Sequence, residues 1–188
     1  MIFDLPSALR RLKPEKRTAA LVRRADQLLP WAEAEQLTGK PFLLDTTVYV
    51  DVLRDKAPAH VREMLRIRRV NHSSVALSEL TFLLGRLDPG HPGTKAALEE
   101  IAGTIADIPE HRLFTPSVQA FAEAGIVAGL IARLRARSAD GGRSVFNDAC
   151  LVLQAVETGS VLLSANVSDM DVIGQVVPNA RVLLYRRS

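Results

Sequence analysis

The chain has 188 residues, 47% of them hydrophobic, and a formal net charge of +3 from 24 Lys and Arg against 21 Asp and Glu. This length supports one substantial hydrophobic core but is short for two full domains. The mild basic excess permits nucleic-acid binding without establishing it. Cys150 is the single cysteine, which excludes a disulfide framework and a zinc site built on cysteines.

The first residues, MIFDLPSALRRLKPEKR, interrupt any apolar core with Asp4 and a basic cluster, unlike a signal peptide. No apolar run approaches the roughly 20 residues of a membrane span. We therefore expect a soluble cytoplasmic protein with no membrane partner.

Residues 1–40 predict a helical extension ahead of the main domain. Pro14 suits the first turn of a helix through EKRTAALVRRADQLL, in which Leu21, Ala25 and Leu28 recur at helical spacing. The apolar side of this helix would cover either the main domain or a partner protein.

From residue 41 to residue 188, short apolar runs alternate with helical segments. This alternation predicts one α/β domain with a central parallel sheet and helices on both faces. The segments that predict strands are, in chain order, FLL, NHSSVAL, RLF, VLLSA and RVLLY. Those that predict helices are VYVDVLR, APAHVREMLRIRRV, ELTFLLGRL after Ser78, TKAALEEIAGTIAD, SVQAFAEAGIVAGLIARLRARS, DACLVLQAVETG begun by Asn147, and a short one around DMDVIGQV.

Asp45, Glu79, Asp148 and Asp169 each follow a predicted strand or begin a predicted helix. Because parallel strands end at one edge of the sheet, where such folds bind ligands, all four acids can face one crevice. Carboxylates gathered there suit Mg²⁺ or Mn²⁺. Each acid alone could instead cap a helix or complement its dipole. Asp148, however, precedes the apolar run ACLV, where a charge needs a partner or a metal.

Four segments of the chain carry a resemblance: FLLDTTVYVDVL, SSVALSELTFLL, GGRSVFNDACLVLQAVETG and VLLSANVSDM. In this order they resemble the PIN-domain ribonucleases, and in particular the VapC toxins of bacterial toxin and antitoxin pairs. The likeness spans about residues 41–185. It implies a three-layer α/β fold with strand order 3-2-1-4-5 and a Mg²⁺- or Mn²⁺-dependent endoribonuclease. It also implies an RNA substrate, a homodimer and a cognate antitoxin that blocks the crevice.

The resemblance also implies a role for each acid. Asp45 and Asp148 would be the central metal ligands, while Glu79 and Asp169 would complete the shell and one of them would take the proton of the attacking water. Without a cation, four clustered carboxylates repel one another, so at least one should have a raised pKa.

Polar residues around these acids are expected to support the site. They are Thr46, Ser164 and Asn166. Whether Asn166 or Asp169 approaches the metal more closely stays open, and Asp171 is expected to be a solvated helix residue. The family usually has Asn where this chain has Thr47, so the orientation of Asp45 should differ. The extension of about forty residues is also unusual for a compact VapC toxin.

Basic residues near the predicted crevice are candidates for phosphate contacts. Arg143, five residues before Asp148, is the first choice, with a solvated charge as the alternative. Arg133, Arg135 and Arg137 are better explained as solvated charges at a helix end, where the helix dipole favours cations. The aromatic residues are scattered along the sequence and form no visible stacking platform for bases.

Other classes of function remain open on the sequence. The chain could be a PIN-like module that binds RNA or protein without cutting, a freestanding RNA-processing enzyme, a DNA nuclease or a metal-dependent phosphatase. A phosphatase of the haloacid-dehalogenase type would have Asp two residues after Asp45, where Thr47 stands.

Overall fold

The computed structural model describes residues 3–135 and 142–188, with residues 142–144 described by their backbone only. Five parallel strands form one sheet in the order β3-β2-β1-β4-β5, so the α/β fold and the strand order that the resemblance implies are confirmed. The strands are β1 Phe42–Leu44, β2 Val70–Ser73, β3 Leu113–Phe114, β4 Val161–Ser164 and β5 Val182–Leu184.

The central strand is apolar because helices cover both of its faces. All three residues of β1 are buried, and Phe42 pairs with Val70 of β2 on one side and Val161 of β4 on the other. The chain leaves β1 towards β2 and later returns to β4 on the opposite side. The carboxyl ends of β1 and β4 therefore flank the point where strand order reverses, where parallel sheets bind their ligands.

Eight helices are described, and two of them begin earlier than the sequence predicts. One starts at Ser74 rather than after Ser78, since the hydroxyl of Ser73 caps it by accepting from Val75 N at 3.1 Å. Another starts at Gly142 rather than at Asn147. The helices are α1 Leu5–Leu12, α2 Thr46–Leu53, α3 Ala59–Ile67, α4 Ser74–Arg86, α5 Thr94–Ala106, α6 Val118–Leu134, α7 Gly142–Glu157 and α8 Val167–Val176.

The helix predicted from Pro14 through Leu29 is wrong. Helix α1 lies upstream of it, capped by Asp4 and ended by Lys13 in the left-handed region at φ 49°. Between α1 and β1 the described helical structure consists of three short 3-10 turns, at Pro14–Lys16, Asp26–Leu28 and Ala32–Ala34. Tertiary contacts override the helical spacing here, because backbone groups of this segment bond to the main domain instead of to one another.

The segment after α1 is fastened to the main domain by several long-range hydrogen bonds. Leu21 N donates to Leu134 O at 3.1 Å, and Leu184 N donates to Pro30 O at 2.8 Å. Trp31 also bridges to Leu184, so the segment covers part of the open edge of β5. The division between residues 1–40 and residues 41–188 stays a prediction.

The core lies on both sides of the sheet and contains residues from α6, α7 and α8, with α6 and α7 packed closely against each other. Among the described residues, no helix is both long and apolar enough to cross a membrane.

Candidate metal centre

Asp45 lies at the carboxyl end of β1, beside the end of β4. Its side chain is buried, and two hydroxyl groups donate to the same oxygen, Oδ2: Ser164 at 2.5 Å and Thr47 at 2.6 Å. Asp45 N also donates to Leu163 O at 3.1 Å. These contacts fix the orientation of the carboxylate, so Ser164 lies where a supporting residue was predicted.

Thr47 bridges two parts of the site. Besides donating to Asp45, its hydroxyl accepts from Ala165 N at 3.1 Å in the loop between β4 and α8. The sequence identified Thr47 only as a departure from the family pattern. In the structure its hydroxyl holds Asp45 and this loop together.

Glu79 lies in the second turn of α4, not the first, so it neither caps the helix nor complements its dipole there. The hydroxyl of Thr46 donates to Glu79 Oε2 at 2.5 Å, and Asn147 Nδ2 donates to Oε1 at 2.8 Å. The sequence predicted Asn147 only as a helix start, so this contact was not expected. Its position directly before Asp148 in an otherwise apolar segment was the available signal.

Asn166 connects the other two acids. Its Nδ2 donates to Asp148 Oδ2 at 3.0 Å and to Asp169 Oδ2 at 3.2 Å, while its backbone N–H donates to Ser164 Oγ at 2.9 Å. Asn166 is also the N-cap of α8 and accepts from Asp169 N. One amide therefore joins two carboxylates to the end of β4.

Arg135 reaches into the same cluster. Its guanidinium pairs with Asp169 Oδ1 and donates to Ser168 Oγ at 2.6 Å, and its side chain is only 13% exposed. The prediction that Arg135 is a solvated helix charge is therefore wrong. Arg133 instead donates to Pro14 O at 2.7 Å. Arg137 and Arg143, the latter predicted to contact phosphate, lie outside the described side chains.

The pKa values of the two central acids are both shifted upwards. Burial raises the pKa of Asp45, and the nearby Glu79 charge adds to the shift against the Ser164 and Thr47 hydrogen bonds. Burial, followed by the charges of Asp45, Asp169 and Glu79, raises the pKa of Asp148 to about 9. The charges of neighbouring acids therefore contribute to both shifts, as the clustering of the carboxylates predicts.

The four carboxylates are the type of ligand that a hard divalent cation prefers, but their side chains are not spaced to bind one ion together. Asp45 and Asp148 are buried, and neither forms an ion pair with the side chains of residues 3–135 and 145–188. Yet within these ranges no three acidic, histidine or cysteine side chains are spaced to hold one ion. Glu79 and Asp169 are turned towards Thr46, Asn147 and Arg135, so a bound cation would have to draw at least one of these acids away.

Asp171 does not belong to this cluster, and its prediction as a solvated residue is wrong. Its carboxylate is buried and accepts from Arg24 Nε at 2.7 Å and from Arg24 N at 2.8 Å. Gln175 Nε2 donates to it at 3.0 Å. Asp171 therefore anchors the N-terminal segment to α8.

Comparisons with known proteins identify the fold. No protein-family model and no curated protein matches the sequence. Among solved structures, a chain of VapBC2 from Rickettsia felis, bound to a DNA fragment from its promoter, has a TM-score of 0.54 and 12% identity over 77% of this chain and 98% of its own. DNA-bound VapBC from Salmonella typhimurium has a TM-score of 0.54 and 20% identity over 77% of this chain and 97% of its own. FitAcB from Neisseria gonorrhoeae has a TM-score of 0.54 and 16% identity over 76% of this chain and 96% of its own. The chain therefore has the PIN-like fold of VapC-like proteins.

Proposed function

We propose that this chain is an endoribonuclease that depends on Mg²⁺ or Mn²⁺. The observation that supports it best is the pair Asp45 and Asp148, two buried carboxylates that face other acids without a basic partner in the described part of the chain. A protein retains such an arrangement at a cost in stability, and a bound cation would remove that cost.

Each acid has a role in this proposal. Asp45 and Asp148 would hold the cation, and Glu79 and Asp169 would complete the shell directly or through water. A bound divalent cation lowers the pKa of a coordinated water and neutralises charge that develops on the phosphate. Ser164 and Thr47 keep Asp45 oriented, and Asn166 keeps Asp148 and Asp169 together. Glu79 or Asp169 would accept the proton of the attacking water.

Cleavage of RNA tests the proposal directly. Purified protein should cut RNA in Mg²⁺ or Mn²⁺ and stop when EDTA removes the ion, while Asp148→Asn should fold and remain inactive. A matched DNA panel distinguishes a ribonuclease from a DNA nuclease. Activity that persists in EDTA, or a fully active Asp148→Asn variant, would contradict the proposed site.

A second candidate function is a PIN-like module that binds RNA or protein without cutting. The ion pair of Arg135 with Asp169 favours it, because this cation already neutralises one of the four acids. Titration of Mn²⁺ by calorimetry separates the two. Stoichiometric binding that Asp148→Asn abolishes supports the nuclease, and an absence of binding supports the silent module.

We further propose that the nuclease is the toxin of a toxin and antitoxin pair and acts on RNA in the cytoplasm, as a homodimer. The support is the likeness to VapC-like chains, together with exposed apolar side chains such as Phe82, Val118 and Phe121 that a partner could cover. Expression of the chain alone should arrest growth, and Asp45→Asn should relieve the arrest. Harmless expression in the native host without a partner would favour a freestanding RNA-processing enzyme.

A further inference from the structure

The N-terminal segment carries a dense group of basic residues that the proposed catalytic role does not use. Between residues 10 and 24 it has seven Lys and Arg and one acid, Glu15. The similar solved structures cover 77% of this chain while spanning 98% of their own, so about a quarter of the chain lies outside that likeness. We call residues 10–24 the basic tract.

The basic tract is held against the end of α6 that leads to the carboxylates. Leu21 N donates to Leu134 O, and Arg133 donates to Pro14 O at 2.7 Å. Arg135, which directly follows α6, pairs with Asp169 of the cluster. The tract is therefore fixed beside the candidate metal centre by its own backbone groups.

Some cations of the tract serve the fold. Arg11 pairs with the buried Glu123, Arg23 with Asp26, and Arg24 with Asp171. Such pairs neutralise charge and fasten the segment, so they contribute little to long-range attraction.

The remaining cations keep their charge uncompensated within the described residues. Lys13 and Lys16 are exposed and flank Pro14, and Arg10 is exposed and donates only to Ser7 Oγ. Arg17 donates to Leu12 O and to the carbonyls at the end of α8, which satisfy its hydrogen bonds without cancelling its charge. Pro14 O accepts from Arg133, so Lys13, Lys16 and Arg133 bring positive charge to the end of α6.

A nuclease whose active centre is acidic needs basic residues close to that centre. Four carboxylates repel the phosphates of an approaching RNA strand, so affinity has to come from cations beside the centre. No carboxylate-rich partner surface is needed to explain the tract, since a phosphate backbone supplies one negative charge per nucleotide and lies on a line of cations without regard to sequence.

We propose that the basic tract binds the phosphate backbone of a single-stranded RNA substrate as the strand leaves the carboxylate centre across the end of α6. This rests on the proposed ribonuclease function. Lys13 and Lys16 are the contacts best suited to test, because they are exposed and neither forms an ion pair in the described part of the molecule.

The experiment measures RNA affinity in an inactive Asp148→Asn background. Lys13→Gln/Lys16→Gln is compared with Lys40→Gln/Lys56→Gln, which removes two other exposed lysines that form no ion pair in the described residues, one shortly before β1 and one between α2 and α3. Fluorescence anisotropy of a labelled single-stranded RNA is recorded at several salt concentrations. Each lost phosphate contact lowers the salt slope by about 0.7, so two contacts lower it by about 1.4 and weaken binding roughly 25-fold at 0.1 M salt.

The control variant should bind RNA within about twofold of its parent. Equal losses in both double variants would show a general charge effect and overturn the assigned surface. Unchanged affinity of Lys13→Gln/Lys16→Gln would also overturn it and point to an acidic protein surface as the occupant. Both results are distinct from failure of the proposed function, which would appear as absence of metal-dependent RNA cleavage in the unmodified protein.

Discussion

Buried acids occur in two regions of this molecule, and their partners differ. Asp51, Glu123 and Asp171 lie away from the metal centre, and each pairs with an arginine. Asp45 and Asp148 are buried to a similar degree, but in the described ranges they accept hydrogen bonds from hydroxyls and an amide, and the charges of other acids act on them. Burial is shared, whereas compensation of charge is not.

Under the proposed function, the difference separates structural acids from functional ones. A buried carboxylate paired with arginine contributes to a defined fold, and removing one partner leaves the other without compensation. A buried carboxylate beside other acids destabilises the folded chain and shifts its own pKa upwards, which is characteristic of sites that bind or react. The same substitution should therefore have opposite consequences in the two regions.

The largest contrast is expected in catalysis. Asp148→Asn removes a central metal ligand at nearly constant volume and should reduce RNA cleavage by about a thousandfold or more, equivalent to about 4 kcal/mol of transition-state stabilisation. Glu123→Gln, in the paired region, should retain cleavage within a few fold. Single-turnover cleavage of a labelled RNA in Mn²⁺ measures both. Comparable losses in the two variants would remove the distinction.

The next contrast is in the sign of the stability change in metal-free protein. Glu123→Gln weakens a buried ion pair with Arg11 and should lower the free energy of unfolding by about 1–3 kcal/mol. Asp148→Asn relieves repulsion and should instead raise the free energy of unfolding at pH 9. Urea denaturation in EDTA measures both, and a destabilised Asp148→Asn variant would contradict the uncompensated state of Asp148.

The pH dependence of the Asp148→Asn effect follows from linkage. The pKa of Asp148 is about 9 in the folded chain and near the ordinary aspartate value of 3.8 when unfolded. Between these values the folded chain binds more protons, so the contribution of Asp148 to stability falls as pH rises. The gain from Asp148→Asn should be absent near pH 4 and complete above pH 9. A gain that is constant across this range would rule out titration of Asp148 as its cause.

A smaller effect is expected from Arg135, a cation that pairs with Asp169 beside the two uncompensated acids. It competes with a metal ion for Asp169, so Arg135→Gln should bind Mn²⁺ about tenfold more tightly, or about 1.4 kcal/mol. Arg133→Gln, two residues earlier, loses a contact with a backbone carbonyl and should leave the metal affinity nearly unchanged. Calorimetric titration at low salt distinguishes them. Weaker binding by Arg135→Gln would mean that the guanidinium orients Asp169 instead of competing for it.

The sequence predicted the fold and the approximate location of the acids better than their surroundings. Alternation of apolar runs and helices predicted the parallel α/β sheet, whereas the family resemblance alone implied the strand order, because hydrophobic spacing does not record which strands are neighbours. The partners of the acids depend on tertiary contacts. Nothing in the local sequence of Asp171 or Arg135 indicates that Arg24 covers the first or that the second turns inwards. The absent helix after Pro14 has the same cause, since contacts with α6 and α8 replaced its internal hydrogen bonds.

Thr47 provides the last and smallest test, on the orientation of an uncompensated acid. Its hydroxyl donates to Asp45 and accepts from Ala165 N, so Thr47→Val loses one hydrogen bond and leaves a backbone N–H without a partner, at a cost of about 1–2 kcal/mol. Thr47→Ser keeps the hydroxyl and should retain activity. With Asp45 less well oriented, we expect Thr47→Val to bind Mn²⁺ several-fold more weakly and to cleave RNA several-fold more slowly, in the same titration and cleavage assays. If Thr47→Val and Thr47→Ser behaved alike in both assays, the hydroxyl would have no part in holding Asp45, and Ser164 alone would orient it.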